Sequence, residues 1–79
     1  MWIKTKTFLV KENINYIKNN GISNNIDIEG ELFKDLEYDV ADLSIGSKEV
    51  FFRLYDEEGW IGNYWISRED FDSKMVRVK

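Results

Sequence analysis

The apolar and polar positions of this chain change rhythm several times, and each change marks an expected element. From Trp2 to Val10 they alternate, with Trp2, Lys4, Lys6, Phe8 and Val10 on one parity and Ile3, Thr5, Thr7 and Leu9 on the other, which is the period of a strand. From Lys11 to Asn20 the spacing of Ile14 and Ile17, with Tyr16 beside them, is helical. Gly21 then stands where a left-handed residue ends a helix, so a short helix is expected there. Asn24-Asn25 reads as loop. Leu36 to Ile45 alternates in two phases, Leu36, Tyr38 and Val40 first and Ala41, Leu43 and Ile45 after a shift. Gly46-Ser47 makes a turn, Val50 to Tyr55 is rich in strand formers, and Trp60 to Ile66 returns after the hairpin loop Asp56-Glu57-Glu58-Gly59. Ser67-Arg68-Glu69-Asp70 has capping-box chemistry and predicts a helical turn. Met75, Val76 and Val78 supply a last strand.

Composition narrows what such a fold can do. The 79 residues suit one domain with one core, and with no Cys there is no disulfide to staple it. Its 12 aromatic rings are therefore the main source of buried area. Absence of His and Cys removes the commonest general base, the thiolate nucleophile and the usual zinc ligands, so no enzyme activity and no cofactor are expected. No leader and no membrane span is read in the chain, and a cytoplasmic location is the expectation. Asn, Ile and Lys total 24 residues, a bias of AT-rich coding sequence that suggests a low-GC bacterium or its phage. Net charge is −4, but it is unevenly placed: residues 1–26 carry +3, residues 27–72 carry −10 and residues 73–79 carry +3.

From residue 30 onward the order of elements resembles an SH3-like small barrel. Gly30 to Val40 resembles the approach to that fold's second strand, Val50–Ile66 with its Asp-Glu-Glu-Gly tip resembles the distal hairpin, and Tyr64 to Phe71 resembles the helical turn before the final strand. The chain also resembles small SH3-like proteins of Firmicutes and their phages. The resemblance implies a mostly-β (α+β) single domain, residues 1–79, with a five-stranded antiparallel barrel over 30–79 and a strand and short helix added at 1–29. It also implies that the first and last strands pair, which would bring the two basic ends together. Where the peptide-binding SH3 family has a groove Pro and Tyr this chain has Ser67 and Asp70, and the family's groove Trp falls near Glu49-Val50. Only Trp65 keeps a ring there, so binding of proline-rich peptides is not expected.

The remaining chemistry is carboxylates and rings. Glu29/Glu31, Asp35/Glu37/Asp39 and Glu57/Glu58 are paired acids that read as a solvated face. Asp35-x-Glu37-x-Asp39 lacks the glycine and distal glutamate of a calcium loop, and no metal is assigned. Strand parity puts Val50, Phe52 and Leu54 on one face and Phe51, Arg53 and Tyr55 on the other, so one aromatic–Arg set is exposed, the composition of a binding hot spot. Trp65 is the best surface ring. These residues point to a non-catalytic protein-binding module. Asp35, Glu37, Asp39, Asp56, Glu57 and Glu58 would steer it, and Phe51, Arg53, Tyr55, Trp60 and Trp65 would anchor it. The expected partner is a basic surface of a host protein, as for a phage or mobile-element inhibitor of a nucleic-acid-handling or defence (anti-CRISPR-like) protein. The acids argue against direct nucleic-acid contact, no membrane partner is expected, and a homodimer stays open. The alternative is a small-ligand (nucleotide-like) binder or sponge with an aromatic cleft around Trp60 and Trp65.

Overall fold

The computed structural model describes residues 4–19, 27–56 and 59–78. Among the described residues seven strands and one helix follow in the order β1 (Lys6–Val10), β2 (Ile14–Asn19), β3 (Ile28–Leu32), β4 (Glu37–Ile45), β5 (Glu49–Asp56), β6 (Gly59–Ser67), α1 (Arg68–Lys74) and β7 (Met75–Arg77). All neighbours in the sheet are antiparallel, in the spatial order β3-β2-β6-β5-β4-β1-β7. The mostly-β class is as expected. Among the described residues the sheet has seven strands, where a five-stranded barrel with one strand added at 1–29 is expected, and it is not closed, with β3 and β7 at its edges. Among the described residues no helix is long and apolar enough to cross a membrane.

The helix expected between Lys11 and Asn20 is corrected to a strand, β2. Helical spacing of two isoleucines is a local signal, and Asn and β-branched Ile are poor helix formers. Against it stand two flanking ladders, Ile14↔Leu32 to Lys18↔Ile28 on one side and Ile17↔Trp65 to Asn19↔Asn63 on the other. In the strand Ile14 and Tyr16 turn toward the core and Ile17 turns outward beside Trp65.

One face of the sheet carries the core. Val50, Phe52 and Leu54 of β5 meet Tyr64 and Ile66 of β6, Phe8 and Val10 of β1, Ile14, Leu32, Val40 and Met75. The Phe52 and Tyr64 rings stack with centroids 5.7 Å apart and planes 3° from parallel, and Tyr16 meets Tyr64 edge-on at 4.9 Å. The shift of phase after Val40 is a β-bulge. β4 gains a residue between Ala41 and Ser44, Asp42 takes a left-handed φ of 53°, and Leu43 is returned to the core. Two glycines make room for neighbouring strands. Tyr16 lies over Gly30, where a Cβ would come within 2.5 Å of its hydroxyl. The Lys18 stem lies over Gly62, whose φ is +150°.

The helix follows its expected chemistry. The Ser67 hydroxyl accepts from the Asp70 amide at 3.0 Å, Glu69 and Asp70 sit in the first turn, and Lys74 in the last pairs with Asp70 at 3.0 Å. The Phe71 side chain packs on Phe8 at 5.7 Å and extends the core. The chain then enters β7, which pairs with β1 from Phe8↔Arg77 to Val10↔Met75. First and last strands therefore lie side by side, with Arg77 of the edge strand opposite Phe8 of β1.

Candidate functional site

On the outer face of the sheet, register sorts the side chains into rows that run across the strands, each row about 7 Å from the next because alternate residues share a face. One row is polar. Arg53 donates through Nε to Asn63 Oδ1 at 2.8 Å and pairs through Nη1 with Asp42 at 2.9 Å, and Asn63 donates to Asn19 Oδ1 at 3.2 Å. The next row is apolar: Phe51↔Trp65↔Ile17, ending at Glu29 on β3. Phe51 and Trp65 are half-buried, tilted at 55° with centroids 5.2 Å apart, and Ile17 is 44% exposed. Beyond it stand Glu49↔Ser67 on β5 and β6 and Asn15↔Glu31 on β2 and β3.

The two last rows enclose a concavity of about 710 Å³. Ile17 and Trp65 form its apolar floor, and Glu29, Glu31, Glu49 and Lys48 stand around it. The turn that carries Lys48 to the groove is fixed by hydrogen bonds. Arg68 donates its amide to Lys48 O at 2.9 Å and its Nη1 to Gly46 O at 3.0 Å, so the β4–β5 turn is pinned to the start of α1. At the far rim Tyr16 over Gly30 fixes β3 against β2. Glu29, Glu31 and Glu49 are separated in sequence and come together only through these pairings.

A second concavity, of about 410 Å³, opens between β3 and β4, lined by Tyr16, Tyr38, Tyr64 and Phe33 among others. Burial raises the Tyr64 phenol above its ordinary range, with a smaller contribution from Tyr38. The turn below it is tightly held: Asp35 donates its amide to Val10 O at 2.8 Å, Lys34 to Asn13 Oδ1 at 2.7 Å and Phe33 to the Tyr38 hydroxyl at 3.1 Å. Phe33 itself is 55% exposed.

The expected site residues divide into separate groups. Phe51 and Trp65 are neighbours on the outer face, and Arg53 lies over the Phe51 ring at 5.3 Å. Its charge is already engaged by Asp42, so Arg53 acts as a support for the ring pair. Glu37 and Asp39 lie on the outer parity of β4 opposite Leu9 and Thr7, and Asp39 accepts from the Thr7 hydroxyl at 2.7 Å. They fall at the other end of β4 from Ser44, the residue opposite Phe51. Asp35 sits in the β3–β4 turn with φ 70°. Among the described residues no three acids are placed to hold a metal ion. The backbones of Tyr55, Asp56 and Trp60 belong to β5 and β6, but their side chains, with Glu57 and Glu58, lie outside the described residues. Sequence reasoning did not assign Ile17, Glu29, Glu31 and Glu49 to the site. The alternation of Ile28, Gly30 and Leu32 with Glu29 and Glu31 was the available signal for an outward acidic row. Compared with family models, curated proteins and solved structures, the chain finds no match.

Proposed function

We propose that this protein is a non-catalytic protein-binding module that engages a basic surface of its partner through the groove on the outer face. The observation that carries this reading is a half-exposed ring pair, Phe51 and Trp65, joined to an exposed Ile17 and bordered by three carboxylates. Aromatic residues at the centre of a patch supply most of the energy of an interface, and charges at its rim set encounter rate and choice of partner. Glu37 and Asp39, toward the opposite end of the same face, extend the negative field rather than the contact. A partner whose own surface is built for phosphates suits this field, which favours an inhibitor of a nucleic-acid-handling or defence protein. The SH3-like resemblance also stands as a proposal, with its barrel read over residues 30–79 and the strand of residues 1–29, β1, added to it. The helical turn before β7 supports it, and β1 of the added segment pairs with β7.

Titration against a panel of basic nucleic-acid-handling proteins tests the binding reading. A complex is expected whose affinity falls about tenfold or more as salt rises from ~50 to ~200 mM. Trp65→Ala is expected to weaken it by about 2 kcal/mol. Absence of any salt-sensitive complex, or one indifferent to Trp65→Ala, removes the proposal. Nucleotide-dependent quenching of tryptophan fluorescence in place of a complex would favour the small-ligand alternative.

A further inference from the structure

We infer that the groove accepts an arginine side chain of the partner, stacked on Trp65 and paired by the carboxylates of Glu49 and Glu29. This rests on the protein-binding reading and names the chemistry of the group recognised. The floor of the groove is an indole with an aliphatic neighbour, and its rim carries Glu29 and Glu31 on the β3 side and Glu49 beside Lys48 on the β5 side, a net negative border. Glu29 lies in the same row as Trp65, two strands away across Ile17, a span of about 10 Å between backbones. Glu49 stands one strand to the other side and one row further along. A planar cation above the indole is therefore flanked by acids along two directions.

The molecule already contains this arrangement once. Arg53 lies over Phe51 at 5.3 Å with its guanidinium paired to Asp42 at 2.9 Å, so ring, guanidinium and carboxylate are satisfied within the chain. Across the same pair of strands the neighbouring ring, Trp65, has carboxylates around it, and among the described residues no cation is seated on it. Arginine suits this ring and its carboxylates better than lysine. Its guanidinium stacks on a ring by its flat face while its edge donates to carboxylates, and it sheds water more readily than an ammonium. The three acids outnumber Lys48 at the rim and so disfavour a phosphate-bearing ligand.

The test uses the whole protein, labelled for NMR, with the Trp65 indole N–H assigned by its disappearance in Trp65→Phe. The probe is a capped peptide of about eight residues alternating arginine and glycine. Its controls are the same peptide with lysine and with uncharged citrulline. The arginine peptide is expected to shift the Trp65 indole and to bind about tenfold more tightly than the lysine peptide. Citrulline should abolish binding. Glu49→Gln and Glu29→Gln should each weaken the arginine peptide by about threefold to tenfold, while Glu69→Gln on α1 leaves it unchanged. Equal affinity for arginine and lysine, or an unmoved Trp65 indole, overturns the inference. If the indole stays still while the complex with a basic protein still depends on Trp65, the arginine chemistry is wrong and the protein-binding reading survives. If both dependences vanish, both are wrong.

Discussion

The two faces of the β5–β6 hairpin use the same kinds of residue for opposite purposes. Phe52 and Tyr64 face inward as a directly opposed pair, stacked at 5.7 Å and both buried. One residue along each strand, Phe51 and Trp65 face outward as another opposed pair, 5.2 Å apart and only half-buried. Composition and cross-strand position are nearly matched, so the difference between the pairs is what lies above them. The inner pair is covered by Tyr16 and the rest of the core, whereas the outer pair is covered on one side by Arg53 and opens into the groove on the other. Parity alone assigns the inner rings to stability and leaves the outer rings available for contact.

Truncating each face tests that division most sharply. Phe52→Ala opens a cavity among fully buried neighbours and is expected to cost about 3–5 kcal/mol. For a chain of this length that is comparable with the whole margin of stability, so dispersion of the amide spectrum should collapse. Phe51→Ala removes a ring that is already partly in water and should cost about 1 kcal/mol, leaving the spectrum dispersed. Equal losses, measured by urea unfolding or by the temperature of melting, would mean that the outer pair is structural as well.

A second difference between the faces appears only in alkali. Burial raises the folded pKa of Tyr64 above the ordinary 10.0, so the unfolded chain loses this proton first as pH rises. The contribution is fully present below pH 10.0 and is lost as pH climbs through the folded pKa. Lys74 acts in the same direction, since its hydrogen bond to Asp70 raises its pKa and that contribution also disappears in alkali. Tyr16, edge-on to the Tyr64 ring at 4.9 Å, Lys18, over it at 5.5 Å, and Tyr38 are titratable groups near this phenol. Tyr64→Phe should therefore flatten the fall in stability above pH 10, and Lys74→Gln should flatten it further. An unchanged alkaline slope in Tyr64→Phe would show that the phenol reaches solvent in the folded state. The inner face would then be less closed than its packing indicates.

How much of this was legible in the sequence depends on whether the information was local. The hairpin from Val50 to Ile66, the bulge after Val40 and the Ser67 cap are short-range devices, and each occurs where alternation or capping chemistry placed it. β2 is different. Ile14 and Ile17 carry a helical spacing, and only the strands on either side decide that they face opposite ways. The same dependence on distant pairing hid the groove. Trp65 and Phe51 were legible as surface rings from parity, but the carboxylates that border them come from β3 and from the start of β5. The register Ile17↔Trp65 is what brings Glu29 into their row, and no spacing along the chain encodes it. The acids that did stand out, Glu37 and Asp39, lie toward the other end of that face.

The finest separation of the two faces is the coupling within the outer pair. If Phe51 and Trp65 form a fixed platform, the two rings should interact by about 0.5–1.5 kcal/mol beyond their separate burial. A double-mutant cycle with Phe51→Ala, Trp65→Ala and the combined variant isolates that quantity, provided each single variant stays folded. Arg53 complicates the cycle, because it rests on Phe51 and is held by Asp42 and Asn63. Repeating the cycle in an Arg53→Met background separates ring–ring coupling from the effect of losing a cation's support. A coupling that persists there means the rings are ordered by each other before any partner arrives, so binding does not have to supply the ordering entropy. A coupling near zero in both backgrounds would make the outer rings independent surface groups. The groove would then have a mobile floor, and the contrast between the faces would reduce to exposure alone.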